Sequence, residues 1–285
     1  MNMEWITFQQ LLNEVAVTAG LDPDSGQVTP AYAAQVARAA TEATRFVWQA
    51  FPWPQVCQSV PDLDWMEPGY KLLNVFSEDP EAAWVAEEEP AVVPFMISTA
   101  GAVVLQGDAP DTPFYYCQLP CPQFEAAAVV SATSYRTGRV VYDATTGDCW
   151  KYTGAAPALG STLATYEGGT WVDGDVYSIG DAVLSIGRTF ICSSTHIATA
   201  ATEPGLGADW LTVWDIAPWQ PQRLPRFLVE PVMLGIEAWM LRTDGQYTSR
   251  ERMEKAMENR IADQVIDLMH GRRQSQHGAP LARQH

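Results

Sequence analysis

The sequence predicts an α+β fold in which N- and C-terminal helices form a helical bundle, with a β-rich arm region and an inserted, duplicated small β module. Apolar residues recur at helical spacing near both ends of the chain, and this spacing is typical of amphipathic helices. The middle of the chain is instead rich in Val, Thr, Tyr, Trp and Gly, with frequent turn signals, which favours short strands. The composition, 47% hydrophobic and 18% charged, is that of a folded protein.

Two helices are predicted in residues 1–55. Thr7 and Gln10 have the spacing of a capping box at the start of the first helix. The second helix begins at Pro30, directly after a threonine cap, and ends before Pro52. Because both helices carry an apolar stripe, we expect them to pair as an antiparallel hairpin.

Residues 56–132 are predicted to form β-rich arms or hairpins, because many prolines restrict the strands to edges and ladder ends. Short strands are expected at 71–76, 92–97, 102–106 and 114–119. From Val56 to Glu125 the chain has 12 acidic residues and one basic residue, Lys71. Such a surface repels phosphate backbones, which argues against tight nucleic-acid binding by this segment.

Residues 133–217 contain a sequence pattern typical of β-strands that occurs twice. A tyrosine is followed by a glycine three residues later and a valine six residues later, and then by a second glycine with an aromatic residue three positions on. The first copy has Tyr135, Gly138, Val141, Gly147, Trp150 and Trp171, and the second has Tyr177, Gly180, Val183, Gly187, Phe190 and Trp210. Turn signals between these residues leave room for about three short strands in each copy.

Residues 218–271 are predicted to return to helices that complete the bundle. The following tail, 272–285, is polar and basic without an apolar repeat, so we expect it to be flexible until a partner binds it.

The charge is unevenly distributed along the chain. Residues 223–285 have 10 Lys and Arg against 8 Asp and Glu, a net charge of +2. Since the whole chain has a net charge of −17, residues 1–222 carry −19.

No catalytic or metal-binding pattern is found. Cys117 and Cys121 have the spacing of half a zinc site, but no second pair of ligands accompanies them. We interpret the five cysteines as buried free thiols, His196 as a locally satisfied side chain, and Glu87–Glu89 as a solvated acidic loop. We therefore expect a protein that is not an enzyme and that has no metal and no cofactor. No segment approaches the ~20 apolar residues of a membrane span, and no membrane partner is expected.

The two ends of the chain resemble the head-to-tail adaptor (connector) proteins of tailed bacteriophages. The resemblance rests on an N-terminal helix pair that leads to Trp53-Pro54, and on a late helix that ends in Asp244-Gly245-Gln246 before a charged terminal helix. It implies a structural protein of the virion neck, assembled in the host cytoplasm as a ring of about twelve subunits. Its partners would be the portal protein, tail or nozzle proteins, and double-stranded DNA that passes through without sequence-specific binding.

Two sets of residues are assigned by this resemblance. The structural anchors are Trp53, Trp239 and Arg242, and the portal-docking residues are Arg272, Arg273 and Arg283 in the tail. An acidic channel surface would keep DNA from sticking during passage. The basic tail would become ordered against an acidic groove of the neighbouring ring.

The middle of the chain resembles the small carbohydrate-binding modules of chitinases and cellulases. The matching residues are Trp171, Tyr177, Gly180, Asp181, Val183, Gly187, Phe190, Cys192, His196, Pro204 and Trp210. In those modules exposed aromatic side chains stack on sugars, which makes Trp171, Trp210 and Trp214 the candidates for contact with a glycan or a protein. Core packing is the other use of such residues in a small module. The alternative function is therefore a glycan-binding accessory protein, and a host glycan is a candidate partner.

Overall fold

The structure is a computed structural model with mixed α and β secondary structure. It describes residues 4–277 except 61, 64–65, 67–68, 81–82, 84–87, 100–101, 108–109, 111, 131–132, 144, 155–157, 160–162, 186 and 244. The α-helices are α1 (Phe8–Thr18), α2 (Pro30–Ala50), α3 (Val229–Thr243) and α4 (Tyr247–His277). None of the described helices is long and apolar enough to cross a membrane.

The strands are short and form many small sheets. They are β1 (Trp5–Ile6), β2 (Cys57–Val60), β3 (Lys71–Phe76), β4 (Phe95–Ile97), β5 (Val103–Leu105), β6 (Phe114–Gln118), β7 (Ala127–Ala128), β8 (Ser134–Tyr135), β9 (Val140–Tyr142), β10 (Cys149–Tyr152), β11 (Ala158–Leu159), β12 (Gly169–Thr170), β13 (Val176–Tyr177), β14 (Ala182–Ser185), β15 (Arg188–Cys192), β16 (His196–Ile197), β17 (Trp214–Ile216), β18 (Trp219–Pro221) and β19 (Leu224–Pro225).

The predicted α+β fold with a bundle of N- and C-terminal helices is wrong, because the described residues contain no such bundle. The capping box of Thr7 and Gln10 is present at α1. However, Phe8 of α1 stacks on Phe124, with ring centroids 5.5 Å apart. In α2, the Thr41 hydroxyl accepts a hydrogen bond from the Phe124 N–H at 3.0 Å. Phe124, which precedes the β module, therefore contacts both N-terminal helices.

The chain divides into two compact units, each built from two separate segments. The described residues of 1–45 and 122–254 form the first unit, and those of 46–121 and 255–285 form the second. A unit made in this way depends on contacts between residues far apart in sequence.

The first unit contains the β module, and its two copies have the same strand topology. The sheet order is β7-β9-β10-β18 in the first copy and β12-β14-β15-β17 in the second. In each sheet the first pair of strands is parallel and the next two pairs are antiparallel. A separate two-stranded sheet accompanies each copy, β8-β11 in the first and β13-β16 in the second. The repeated sequence pattern thus corresponds to a repeated arrangement of strands.

The second copy is inserted into the first. Strands β12 to β17 all lie in the chain between β11 and β18, and β18 completes the first copy by pairing with β10. The strands of the first copy therefore run from Ala127 to Pro221, beyond the expected limits of 133 and 217 on both sides.

Equivalent glycines make equivalent main-chain hydrogen bonds in the two copies. The Gly138 N–H donates to the Tyr152 carbonyl at 2.7 Å, and the Gly180 N–H donates to the Cys192 carbonyl at 2.8 Å. Their φ angles are +84° and +94°, a region that side chains with a Cβ rarely adopt. The recurring glycine therefore fixes the turn between the small sheet and the main sheet of each copy.

The leading tyrosines are also equivalent. The Tyr135 hydroxyl accepts a hydrogen bond from the Val130 N–H at 2.7 Å, and the Tyr177 hydroxyl accepts one from the Val172 N–H at 2.9 Å. Each tyrosine thereby ties its strand to the residue five positions earlier, and one sequence signature specifies the same local geometry twice.

One buried side chain, Gln220 of β18, joins the two copies. Its Oε1 accepts a hydrogen bond from the Thr189 N–H at 3.0 Å, and its Nε2 donates to the Thr189 carbonyl at 3.0 Å. Thr189 belongs to β15 of the second copy. Gln220 is only 1% exposed, so water cannot replace these hydrogen bonds at low cost.

The N-terminal segment covers one glycine turn of each copy. Gly147 has a φ of +77°, and a Cβ there would lie 2.6 Å from the Gln9 side chain. Its equivalent Gly187 has a φ of +74°, and a Cβ there would lie 2.8 Å from the Trp5 ring. Both turns therefore require glycine for backbone conformation and for the space that the N-terminal side chains occupy.

The second unit contains a three-stranded antiparallel sheet in the order β2-β6-β3. Two strands of this sheet, β3 and β6, lie where the sequence predicted strands, as do the two strands of the separate hairpin β4-β5, whereas β2 was not predicted. The sheet is packed rather than an extended arm, since Val75 and Cys117 are fully buried.

Trp48 and Gln118 link this three-stranded sheet to the end of α2. The Trp48 Nε1 donates to the Leu119 carbonyl and the Gln118 Nε2 to the Trp48 carbonyl, each at 3.0 Å.

The last helix is longer than expected. The sequence predicted a helix up to Gly271 and a flexible tail from Arg272, but α4 continues to His277. Residues 278–285 lie outside the described residues.

Replacing Gln220 with Ala should destabilise the first unit by about 2 kcal/mol, because the Thr189 N–H would lose its buried partner and the Thr189 carbonyl would keep only the Ala217 N–H. Urea unfolding followed by tryptophan fluorescence measures this. The exposed Gln246 serves as the matched control, and its replacement with Ala should change the free energy of unfolding by less than about 0.5 kcal/mol. Equal unfolding midpoints for the two variants would contradict the assigned role of Gln220.

Replacing Gly187 with Ala should cost more stability than replacing Gly174 with Ala. Both residues have a left-handed φ, which costs about 1–2 kcal/mol for alanine, but only at Gly187 does a Cβ meet another side chain, Trp5. In a Trp5→Ala background the two costs should become equal. Thermal unfolding of the four combinations tests this, and a difference that persists without Trp5 would show another cause.

Candidate interaction surfaces

Two of the three tryptophans predicted to contact a glycan or a protein, Trp210 and Trp214, lie in the core of the second copy. Trp214 is fully buried, and its Nε1 donates to the Thr202 carbonyl at 2.9 Å. Trp210 is 6% exposed, and its ring meets Phe190 edge-on, with centroids 5.3 Å apart. Trp171 is half-buried. Since stacking on a sugar needs an open ring face, neither Trp210 nor Trp214 is available for it.

Sequence reasoning missed Trp219, the counterpart of Trp214 in the first copy. Trp219 pairs with Tyr152 in the sheet, as Trp214 pairs with Cys192. The Tyr135 ring meets Trp219 edge-on at 5.7 Å, and the Tyr177 ring meets Trp214 in the same way at 5.1 Å. The sequence pattern instead places Trp171 at the end of the first copy, because Trp171 is the next tryptophan in the chain.

The outward side of the small sheet β13-β16 is apolar. Val176 and Ile197 are direct cross-strand partners, and with Val172 and Ile179 in the neighbouring turns they form what we call the aliphatic face. These four side chains are 49 to 70% exposed. Exposed aliphatic side chains in one small region are typical of protein contacts.

The first copy lacks this face at two equivalent positions. It has the polar residues Ser134 and Thr137 where the second copy has Val176 and Ile179. Because both pairs are exposed, core packing does not require the aliphatic residues. The second copy also has seven acidic residues from Glu167 to Asp215 and one basic residue, which is buried.

The predicted anchor residues differ in their environments. Trp53 is fully buried, and its Nε1 donates to the Val47 carbonyl at 2.9 Å, so it fixes the chain where α2 ends. Trp239 is half-buried on α3, and Arg242 is exposed near the end of the same helix.

The predicted portal-docking residues are only partly described. The backbones of Arg272 and Arg273 belong to α4. Arg283 lies outside the described residues.

The second unit presents a hairpin, β4-β5, with apolar residues on both faces. Met96 and Val104 are direct cross-strand partners on one face, and Ile97 lies on the other. They are 45 to 59% exposed. A two-stranded hairpin of this kind is marginally stable in water by itself, so its apolar faces favour a contact with another chain.

The Cys117 and Cys149 thiols are fully buried, and the His196 Nδ1 lies 3.7 Å from the Cys192 Sγ. Burial raises the pKa of the Cys117 and Cys149 thiols to about 12, so both are protonated near neutral pH. The His196 Nδ1 lies 2.8 Å from the Ser194 carbonyl, and its ring meets Trp214 edge-on. In the described part of the chain, no cluster of His, Cys, Asp and Glu residues could hold a metal ion. Of the predicted acidic loop, Glu88 and Glu89 are exposed, and Glu87 lies outside the described residues.

Replacing Trp214 with Ala should lower the stability of the module by about 3–5 kcal/mol, because it leaves a large cavity. The half-buried Trp171 is the matched control, and its replacement with Ala should lower the stability by less.

The intact chain should not be retained on chitin or cellulose. Retention of the folded wild type, with loss on Trp171→Ala, would instead support glycan binding.

Comparison with known proteins leaves the function to be inferred from these surfaces. No protein-family model matches the chain, and no curated protein matches it.

Proposed function

We propose that this protein is a virion structural protein, a head-to-tail adaptor that forms a ring under the portal of a tailed bacteriophage. In this role it extends the DNA channel and attaches the tail or nozzle proteins, and it acts by assembly rather than by catalysis. Double-stranded DNA passes through the ring without sequence-specific binding. The place of action is the virion neck, after assembly in the host cytoplasm.

The observation that carries the proposal is the β4-β5 hairpin. Met96, Ile97 and Val104 would remain in water in a monomer, although a two-stranded hairpin needs further packing to be stable. A neighbouring subunit that covers this hairpin stabilises it, and a ring repeats the same contact at every subunit boundary.

Two further features support the proposal. Trp53 is buried at the end of α2, which agrees with an anchor at the Trp-Pro sequence of the adaptor resemblance. The net charge of −17 disfavours persistent contacts with the phosphates of passing DNA. Arg272, Arg273 and Arg283 are the residues that we expect to dock on the portal.

The module would serve as an external docking site for a tail protein. The aliphatic face supports this use, because Val176 and Ile197 offer apolar contact area and lack the flat ring faces that sugars prefer. The glycan-binding alternative receives no support from Trp210 and Trp214, since both are buried.

Replacing Met96 and Val104 together with Ser should dissociate the ring, because it removes the apolar contact of the hairpin. Mass photometry over a range of protein concentrations measures the distribution of oligomers, and circular dichroism checks the fold. Val17, which is exposed on α1 in the other unit, provides the control variant Val17→Ser, which should leave the ring intact. A wild-type chain that stays monomeric at every concentration and never joins a portal complex would overturn the adaptor proposal.

A further inference from the structure

A groove of about 570 Å³ lies in the first unit between α2 and β7. Its wall on the helix side includes Ala34 and Ala37, and its opposite side includes Ala127 and Gly138. These residues have small side chains or none, which leaves room for another main chain to approach closely. Two arginines, Arg38 and Arg139, also line the groove.

Exposed cations are rare in this part of the protein. Residues 1–222 contain seven Lys and Arg, and two of them, Lys151 and Arg188, are buried. Arg38 and Arg139 are both exposed. Arg136 belongs to the same turn as Arg139, whose N–H donates to the Arg136 carbonyl at 3.1 Å. The groove therefore gathers positive charge on an otherwise acidic chain.

The duplication shows that these arginines are not needed for the turn. The second copy has Ser178 and Asp181 at the positions of Arg136 and Arg139. There the Asp181 Oδ2 accepts a hydrogen bond from the Ser178 N–H at 2.7 Å and caps the turn. The first copy has two cations in place of that local cap, which indicates a use beyond the turn itself.

One carboxylate already lies in the groove. Arg38 forms an ion pair with Glu125 at 3.2 Å. The two side chains are 61% and 53% exposed, so the pair contributes little to stability. A carboxylate from a ligand could replace Glu125 on the Arg38 guanidinium at small cost, and the planar guanidinium matches a carboxylate well.

The groove also reaches an open sheet edge. β7 is the last strand in its sheet, and Ala127 and Ala128 are exposed. An edge strand presents main-chain N–H and C=O groups that an extended peptide can pair with. A phosphate chain has no main-chain donors for such pairing, whereas a peptide has both donors and acceptors.

We propose that this groove binds an extended acidic peptide segment of a partner protein, held by Arg38 and Arg139. The Asp or Glu side chains of the segment meet the two guanidinium groups, and its main chain lies along β7. This inference does not depend on ring formation.

Fluorescence anisotropy with a labelled hexaglutamate peptide tests the proposal on the full chain at low salt. Wild type should bind the peptide, and binding should weaken as salt is added. The copy-swap variant, Arg136→Ser with Arg139→Asp, should weaken binding by at least about tenfold, and it should fold because the second copy uses the same two residues. Glu125→Gln should strengthen binding, because it frees Arg38.

The controls separate this site from general charge effects. Arg45 is exposed on α2 and paired with Glu42, and Arg45→Gln should leave binding unchanged. Hexaglutamate that fails to bind wild type, or that binds the copy-swap variant equally well, overturns the proposal. Tripolyphosphate that binds the groove while hexaglutamate does not would assign the site to phosphate. Mass photometry of the same variants reports ring formation separately, so loss of peptide binding with the ring intact leaves the adaptor proposal unaffected.

Discussion

The hydrogen bonds between Gln220 and Thr189 are the constraint on which the first unit depends. Gln220 lies on the strand that closes the first copy, and Thr189 lies on a middle strand of the second. A buried amide that satisfies both main-chain groups of one residue leaves little freedom for the two sheets to shift. The N-terminal segment adds a second link, because it covers the equivalent turns at Gly147 and Gly187.

Much of the local structure was readable from the sequence. The capping box at Thr7 and the repeated glycines are short-range signals whose geometry depends on nearby residues, and both were found. The nesting of the copies was not readable, because strand pairing between distant segments leaves no local signature. The sequence pattern therefore predicts Trp171 as the last tryptophan of the first copy, whereas Trp219 has that position, after the whole second copy.

The prediction of a helical bundle was wrong for a related reason. An apolar stripe shows that one face of a helix is buried, but it does not show what covers that face. Phe8 stacks on Phe124 at the start of the β-rich segment. The aliphatic face could not be predicted either, because Val176 and Ile197 resemble ordinary strand residues in the sequence. The structure shows that both side chains are exposed. Alignment of the two copies shows Ser134 at the position of Val176.

The nested order of the two copies has a consequence for biosynthesis. The second copy is continuous in sequence, so its strands can pair as soon as they leave the ribosome. The sheet of the first copy remains open at β10 until β18 has been made, and β18 follows the whole second copy. Closing that sheet requires contacts over a long separation, which are slow to form. The second copy should therefore fold before the first one. Its Thr189 would then be in place to bind Gln220 when β18 completes the sheet of the first copy.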